Sequence, residues 1–324
     1  MKENGKRPVV IGFDTSNYRT SVAAVTLDGE ILVNHRELLP VSDGERGLRQ
    51  SDAVFAHIRQ LRNSEAVLRK ALGGAEIVAA AASTKPRDGE ESYMPVFQAG
   101  YTAGSLLAAS LDVPFFGTTH QRGHLAAALH GTRLENEERL LAIHLSGGTT
   151  DLLLIDGDRL EQIGGSADLH AGQLVDRAGV AMGFGFPSGE ELEALAVKGQ
   201  SEGRLGCSLE KGDLICHLSG AETQVQKWIR EGSVSREDTA REIYELLART
   251  LVIMLKAGAE KTRIRHALIT GGVAASALLR GLLEERRVKT RGCPEIVFGR
   301  PEMSGDNAVG VALIGRKQYI IHNS

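Results

Sequence analysis

The feature that most constrains this fold is a short β-meander pattern that occurs twice along the chain. Each copy consists of three apolar runs separated by turn sequences, with SerAsn and AspGly in the first copy and SerGlyGly and AspGlyAsp in the second. The runs cover residues 9–13, 20–26 and 30–34, and then 141–145, 150–155 and 159–163. The repeat predicts one structural motif used twice.

Helical periodicity replaces the strand pattern after each meander. The helical segments are 51–72, 95–111, 170–182 and 236–261, and further strand candidates are 77–82, 267–270 and 295–298. This alternation predicts mixed sheets covered by helices in each half. Because 324 residues exceed the usual size of one core, two domains are expected. We predict an N-terminal lobe of 1–119 with 305–324 and a C-terminal lobe of 120–304, joined by a tight crossover at 117–120.

A duplicated unit of a meander followed by helices, with a Gly-bearing turn in each copy, is typical of the two-lobed α/β superfold shared by actin, sugar kinases and chaperone ATPases. In that superfold the turns of the two copies face each other and offer backbone N–H groups to phosphates. The sequence therefore predicts a nucleotide in the cleft between two actin-like lobes. The superfold alone does not fix the function.

Composition excludes several classes of function. Aromatic residues make up only 4%, which disfavours a nucleic-acid surface built on base stacking. The net charge of −3 gives no overall basic field, and the basic cluster at 261–291 is typical of a solvated helix face. Three cysteines without metal or redox spacing argue against a disulfide framework. We expect a cytoplasmic protein without a membrane segment.

Two histidines form the first candidate site. His120 and His124 stand four residues apart at the start of an apolar-periodic helix, so both imidazoles project from one face and could share a metal. A chance pair on an exposed helix is an equally weighted alternative. Zinc proteases need Glu directly after the first His, and Gln121 at that position disfavours metalloprotease chemistry.

Two Gly-bearing connections are candidates for nucleotide binding. The sequence LSGGTTD at 145–151 joins two strands, and its glycines let backbone N–H groups approach an anion. The sequence TGGVAAS at 270–276 joins a strand to a helix, whose N-terminus suits a nucleotide. An ordinary hairpin and an ordinary connection are the alternatives.

Asp306, in the sequence SGDNAVG, precedes a short apolar helix. A helix-capping aspartate is the common explanation for such a residue. If the fold returns Asp306 to the histidine helix, two histidines and one carboxylate would leave coordination positions open for substrate or water. Catalytic zinc and iron sites have this property.

Together these motifs resemble the universal tRNA threonylcarbamoyltransferase family, long misnamed O-sialoglycoprotein endopeptidases. The resemblance covers nearly the whole chain. Several motifs that occur in the same order as in the family are more specific than any single motif. The matching segments are VIGFDTSNYRTSVAAV, HQRGH, LSGGTTDL, AGQLVDRAGVAMGFGFPSGEELE, CHLSGAETQV, ITGGVAASALLRG and SGDNAVGVALIG.

The resemblance implies that His120, His124 and Asp306 bind one divalent metal, iron or zinc. It also implies a set of residues that contact an adenylate. These are Leu145, Ser146, Gly147, Gly148, Asp176, Gly189, Gly271, Gly272 and Ser276.

In that chemistry the exocyclic amine of the tRNA adenosine beside the anticodon attacks the carbonyl of threonylcarbamoyl-adenylate, and AMP leaves. The metal would orient the acyl group and stabilise charge on oxygen. The implied partners are tRNA and proteins that include an actin-like-fold homologue, without a membrane.

Several polar positions depart from the family pattern, which is typical of a divergent paralogue. They are Asn17, Tyr18 and Arg19 in place of Cys, Asp and Glu, Thr149 in place of His, Glu222 in place of Lys, and Ser276 in place of Asn. These departures keep the histidine pair and the glycine turns but alter contacts to substrate. Three hypotheses remain: transfer to tRNA, carbamoyl transfer to another acceptor, and a non-catalytic nucleotide-binding partner subunit. A small-molecule kinase is weaker, because such enzymes need no paired-histidine helix.

Overall fold

The computed structural model describes residues 6–16, 19–40, 48–89, 92–305 and 307–324. The chain divides into two compact units, Met1–His130 with Gly305–Ser324 (unit 1) and Gly131–Ser304 (unit 2). Each unit is an α/β structure with its own mixed sheet.

Unit 1 contains a five-stranded sheet in the order β3-β2-β1-β4-β5. Its elements are β1 (Arg7–Thr15), β2 (Arg19–Thr26), β3 (Ile31–Leu38), α1 (Gln50–Ala71), β4 (Ala75–Lys85), α2 (Phe97–Leu111), β5 (Phe115–Thr119), α3 (His120–Leu129) and α9 (Val309–His322). The first three strands form an antiparallel meander, and β1, β4 and β5 are parallel. The predicted first meander is thus present.

Unit 2 contains a seven-stranded sheet in the order β12-β11-β6-β7-β8-β10-β9. Its strands are β6 (Arg139–Leu145), β7 (Thr150–Asp156), β8 (Arg159–Ser166), β9 (Ser208–Glu210), β10 (Ile215–His217), β11 (His266–Thr270) and β12 (Glu295–Phe298). Its α-helices are α4 (Ala171–Ala181), α5 (Gly189–Ala196), α6 (Ser219–Glu231), α7 (Arg236–Thr262) and α8 (Ala277–Lys289). The strands β6, β7 and β8 form the second meander, and β6, β11 and β12 are parallel. Five strands therefore repeat the order and directions found in unit 1.

Alternation along the strands directs each sheet face toward its helices. In β1, Ile11 and Phe13 belong to the apolar cluster of unit 1, whereas Gly12 lies on the other face against Ala312 of α9. In unit 2 the long helix α7 is buried along most of its length, and Tyr244 is one of the largest fully buried side chains. Among the described residues, no helix is long and apolar enough to span a bilayer.

Helix α3 belongs to unit 1, although the predicted boundary followed residue 119. It packs on α9 and also touches β4 and β5. The two helices approach so closely that a Cβ added at Gly310 would lie 1.7 Å from the carbonyl oxygen of Gly123. Only glycine allows this crossing, and the close packing places residues 120–130 in unit 1.

Candidate functional site

The two predicted metal-binding histidines meet on one face of α3. The Nε2 atoms of His120 and His124 lie 3.0 Å apart, and the ring centroids are separated by 4.4 Å. The ring of Phe97, which is buried, lies 6.1 Å from the His120 ring. Two imidazole nitrogens at this distance need a proton or a cation between them, because their lone pairs would otherwise repel.

Asp14 orients the ring of His120 from the end of β1. Both oxygens of this fully buried carboxylate lie 3.0 Å from Nδ1 of His120, and the Ser83 hydroxyl donates to Oδ1. A carboxylate only accepts, so Nδ1 carries the hydrogen and Nε2 presents its lone pair. This is the usual support of a metal-binding histidine.

The donor set fits a divalent metal. A metal about 2.0–2.1 Å from each nitrogen, the usual bond length, accommodates a separation close to 3 Å. Asp306, the predicted third ligand, lies outside the described residues. Within the described part of the chain, no group of three His, Cys, Asp or Glu residues could hold a metal. The structure thus brings His120 and His124 together and leaves Asp306 a prediction.

The first turn of α3 is fixed by the segment that follows β4. Arg122 donates to both oxygens of Asp88, with a shortest distance of 2.6 Å. The Thr119 hydroxyl donates to the same carboxylate and accepts from the Arg122 N–H as the helix cap. The guanidinium of Arg122 is the main cause that lowers the pKa of Asp88. Asp88 therefore anchors the helix that carries both histidines.

In unit 2, the turn between β6 and β7 contains predicted nucleotide-binding residues. Leu145 ends β6, and Ser146 N–H donates to the Thr149 carbonyl across the turn. The Ser146 and Thr149 hydroxyls lie 2.7 Å apart, and the positions where Gly147 and Gly148 would carry a Cβ are open space. The Gly172 N–H, at the start of α4, donates to the Ser146 carbonyl. The turn and a helix N-terminus are thus adjacent.

The connection from β11 to α8 lies against the same turn. Gly271 has φ +104°, and a Cβ there would lie 2.1 Å from the Leu145 carbonyl oxygen. Gly272 has open space around it. The two predicted Gly-bearing loops therefore come together at the carboxyl edge of the parallel strands β6 and β11, where α/β sheets commonly bind ligands.

The other three predicted nucleotide-binding residues lie on helices of unit 2 or directly before one, and they are engaged in structural contacts. Asp176 on α4 accepts from the Ser188 N–H at 2.9 Å, just before α5 begins at Gly189. The buried Tyr244 hydroxyl donates to the Gly189 carbonyl, and burial raises the pKa of Tyr244. Ser276 caps α8 by accepting from the Leu279 N–H. Ser276 is therefore a helix cap in this structure.

Asp168 fixes the approach of α6 near the start of α4. It accepts from the Ser219 hydroxyl and from the Leu218 and Leu169 N–H groups. Burial would raise the pKa of Asp168, but these hydrogen bonds outweigh it and lower the pKa to about 2. Asp168 stays ionised at neutral pH and holds the loop that precedes α4.

Asp14, Ser83 and Asp88 were missed by the sequence predictions. Asp14 directly follows the apolar run at 9–13, so its position at a strand end was a signal. Nothing in the sequence pairs it with His120, which lies 106 residues away. Asp88 forms an ion pair with Arg122 that appears only in the fold.

Solved structures with the same architecture define the class. The chain is similar to HypF from T. kodakarensis, with a TM-score of 0.65 and 14% identity over 98% of this chain and 48% of that one. Full-length HypF in its phosphate- and nucleotide-bound form gives 0.62 and 14%, over 97% and 46% of the chains. ROK hexokinase from Thermus thermophilus gives 0.55 and 15%, over 98% and 100%. The chain spans about half the length of the HypF chains, and it has the actin-like ATPase fold.

Within that fold class, the sequence identifies the family. Residues 95–312, more than half of the chain, match the tRNA N6-adenosine threonylcarbamoyltransferase family, TsaD. The chain belongs to this family. The predicted fold class and the predicted family are both confirmed.

Proposed function

We propose that this protein transfers a threonylcarbamoyl group from threonylcarbamoyl-adenylate to the exocyclic amine of the tRNA adenosine beside the anticodon. The observation that carries the proposal is the histidine pair, with Nε2 atoms 3.0 Å apart and Asp14 on the outer nitrogen of His120. Membership of the TsaD family supplies the reaction class.

In this proposal His120, His124 and Asp306 hold one divalent metal, iron or zinc. When bound, the metal would supply Lewis-acid stabilisation of charge on the acyl oxygen. Asp14 keeps His120 in the tautomer that presents Nε2, and Ser83 holds Asp14 in place. The residues of unit 1 thus provide a fixed pair of nitrogen donors without rearrangement.

Unit 2 is proposed to bind the adenylate. The turn at Ser146, Gly147 and Gly148 leaves space above its backbone, and the β11–α8 connection with Gly271 and Gly272 lies beside it. Leu145, Asp176, Gly189 and Ser276 complete the proposed set. Backbone N–H groups near a helix N-terminus favour a phosphate, which supports this assignment.

The partners belong to the same proposal. The acceptor would be tRNA, and we expect protein partners that include an actin-like-fold homologue.

A second candidate is a non-catalytic nucleotide-binding partner subunit. It is favoured by Ser276, which caps α8, and by Thr149, whose hydroxyl bonds to Ser146 within the turn. Both side chains are already committed to the protein. A carbamoyltransferase with another acceptor remains a variant of the first candidate.

The test is transfer of labelled threonylcarbamoyl from its adenylate to tRNA by the purified protein, with a cell extract as the source of partners. Metal content is measured on the same preparation. We expect His120→Ala to lower both metal content and transfer by more than 100-fold, beyond the roughly 10- to 100-fold typical for loss of an outer-shell residue. His322→Ala, an exposed histidine on α9, is the matched control.

Absence of transfer by a wild-type protein that binds metal and nucleotide would reject the first candidate and leave the partner-subunit function. Turnover that His120→Ala abolishes would reject a purely non-catalytic role.

A further inference from the structure

Two of the three cysteines meet at the edge of the unit 2 sheet. Cys216 lies in the middle of β10, and Cys207 directly precedes β9, the antiparallel neighbour of β10. Cys216 pairs with Leu209 across the two strands, and Cys207 stands two residues before Leu209, so both cysteines project from one face. The fold therefore brings together two cysteines that stand nine residues apart in the chain and show no redox spacing in the sequence.

The two thiols are in direct contact. The Cys207 and Cys216 side chains share a hydrogen bond, and the Cys207 thiol also donates to the His217 carbonyl at 3.4 Å. Within the described part of the chain, no third His, Cys, Asp or Glu completes a metal-binding group with them. Two adjacent thiols without a third ligand have one reaction in common, the formation of a disulfide by thiol–disulfide exchange.

The two sulfurs differ in exposure and in acidity. Cys207 is partly exposed, whereas Cys216 is only 1% exposed and belongs to the core of unit 2. The hydrogen bond from the Cys216 thiol lowers the pKa of Cys207 below that of an ordinary cysteine. The same hydrogen bond and burial raise the pKa of Cys216. A reagent therefore reaches Cys207 first, and Cys207 more readily forms the reactive thiolate.

The chain around Cys207 allows the shift that a disulfide requires. The two sulfurs of a disulfide are about 2.0 Å apart, closer than two hydrogen-bonded thiols. Residues 204–207 form no helix or strand, and β9 is a three-residue strand at the edge of its sheet. Cys216 is held more firmly, because its carbonyl oxygen accepts from the Ala167 N–H at 3.0 Å. We therefore expect Cys207 to move toward Cys216 when the bond forms.

We propose that Cys207 and Cys216 form a redox site that reacts with small disulfides such as glutathione disulfide and closes to a reversible disulfide. The Cys207 thiolate attacks one sulfur of the reagent, whose S–S bond breaks, and the first glutathione leaves and takes up the proton lost from Cys207. Cys216 then attacks the Cys207 sulfur of the mixed disulfide and releases the second glutathione, to which the Cys216 proton passes. The two protein thiols lose two electrons, and the disulfide of the reagent gains them.

This site goes beyond the proposed function. Neither cysteine belongs to the proposed metal site or to the proposed adenylate site, so the redox reaction can be tested whatever group the protein transfers.

The test is the reaction of the purified, reduced protein with glutathione disulfide at neutral pH. The protein is then denatured, its remaining thiols are alkylated, and the products are identified by mass spectrometry. We expect the wild-type protein to keep one of its three thiols, to carry no glutathione and to yield two peptides linked through Cys207 and Cys216. Dithiothreitol should restore all three thiols.

Two serine variants separate the steps of the reaction. Cys216→Ser should stop it after the first step, so that one glutathione remains attached to Cys207. Cys207→Ser should leave the protein unmodified by glutathione, because Cys216 is buried. Cys293→Ser is the matched control, since burial raises the pKa of this third cysteine to about 11. It should form the disulfide between Cys207 and Cys216 at the wild-type rate.

Alkylation of the native, reduced protein with iodoacetamide at neutral pH measures the reactivity of each thiol. We expect Cys207 to react at least about 10-fold faster than Cys293. Thermal unfolding of each reduced variant shows whether it is folded, and Cys216→Ala replaces Cys216→Ser if the serine variant is not.

Three free thiols after treatment of the wild type, or a disulfide that includes Cys293, would overturn the proposal. Glutathione that stays attached to Cys207 in the wild type would also overturn it, because Cys216 would then not close the bond. Equal alkylation rates for Cys207 and Cys293 would contradict the role of Cys207 as the attacking thiol.

Discussion

The two units use the same strand order to present different chemistry at the same edge. In unit 1, the second cross-strand pair from the end of β1 and β2 is Asp14 with Ser21. In unit 2, the equivalent pair of β6 and β7 is His144 with Asp151. Unit 1 places the histidine pair and the carboxylate of Asp14 at its edge. Unit 2 surrounds its edge with glycines that leave backbone groups accessible.

This difference shows that the repeated scaffold fixes where a site lies and the connections fix what it binds. After β5 the chain enters α3 and its histidines, whereas after β11 it passes through Gly271 and Gly272. We therefore expect substitutions at this edge to act mainly through steric effects in unit 2 and mainly through electrostatic effects in unit 1.

The largest effect is expected for Gly271→Ala. The new Cβ would meet the Leu145 carbonyl at 2.1 Å, in a backbone conformation with φ +104° that alanine avoids. We expect a loss of about 3 kcal/mol in the free energy of unfolding of unit 2. The single tryptophan, Trp228, lies in the core of this unit, so its fluorescence during urea unfolding measures the change.

The control is Gly272→Ala, where φ is −58° and the Cβ position is open. Its stability should stay within about 1 kcal/mol of wild type. Equal stability of the two variants would contradict the steric account of the β11–α8 connection.

In unit 1, Asp14→Asn should weaken metal binding by about 10- to 100-fold. The asparagine amide can donate to Nδ1 of His120, which would leave the hydrogen on Nε2 and block the metal-binding lone pair. Metal titration monitored by calorimetry measures the affinity.

Asp112→Asn is the matched control, since Asp112 follows α2 in a left-handed conformation that asparagine tolerates. If Asp14→Asn bound metal as tightly as this control, the contact with His120 would be structural only.

The smallest effect concerns pH. Burial is the main cause that lowers the pKa of His57, which is fully buried on α1 against the Thr20 hydroxyl. The unfolded chain therefore binds a proton below about pH 6.5 that the folded chain resists, so stability falls as pH falls below this value. We expect His57→Asn to reduce the loss by on the order of 1 kcal/mol. Urea unfolding followed by circular dichroism at pH 7 and pH 5 measures it.

His217 in unit 2 should act with the opposite sign. A hydrogen bond with Glu210 is the main cause that raises its pKa, so its contribution is present at low pH and is lost as pH rises through the folded pKa. His217→Asn should therefore increase the loss of stability between pH 7 and pH 5, whereas His57→Asn should reduce it. If the free energy of unfolding changed with pH in the same way in both variants, neither histidine would control the loss of stability in acid.

Much of the fold could be predicted because its strands are short apolar runs bounded by turn residues. The predicted run at 150–155 is β7 (Thr150–Asp156), and the predicted helix at 236–261 is α7 (Arg236–Thr262). Local patterns suffice for such elements. The position of α3 in unit 1 could not be predicted, because it depends on packing against α9 almost two hundred residues later.

The candidate site was predicted where local sequence carries its geometry. The spacing of His120 and His124 along a helix determines that they meet. The contact of Asp14 with His120 depends on the order of strands in the sheet, and the capping role of Ser276 depends on where α8 begins. Sequence alone cannot tell such a cap from a ligand contact.

The crossing of α3 and α9 at Gly123 and Gly310 has a consequence for the order of folding during synthesis. Unit 2 is one continuous segment, Gly131–Ser304, and can form as soon as it leaves the ribosome. Unit 1 needs α9, which is made after all of unit 2, to cover α3 and one face of its sheet. The histidine helix therefore remains uncovered until late in translation, and the usual sequence in which N-terminal domains fold first is reversed.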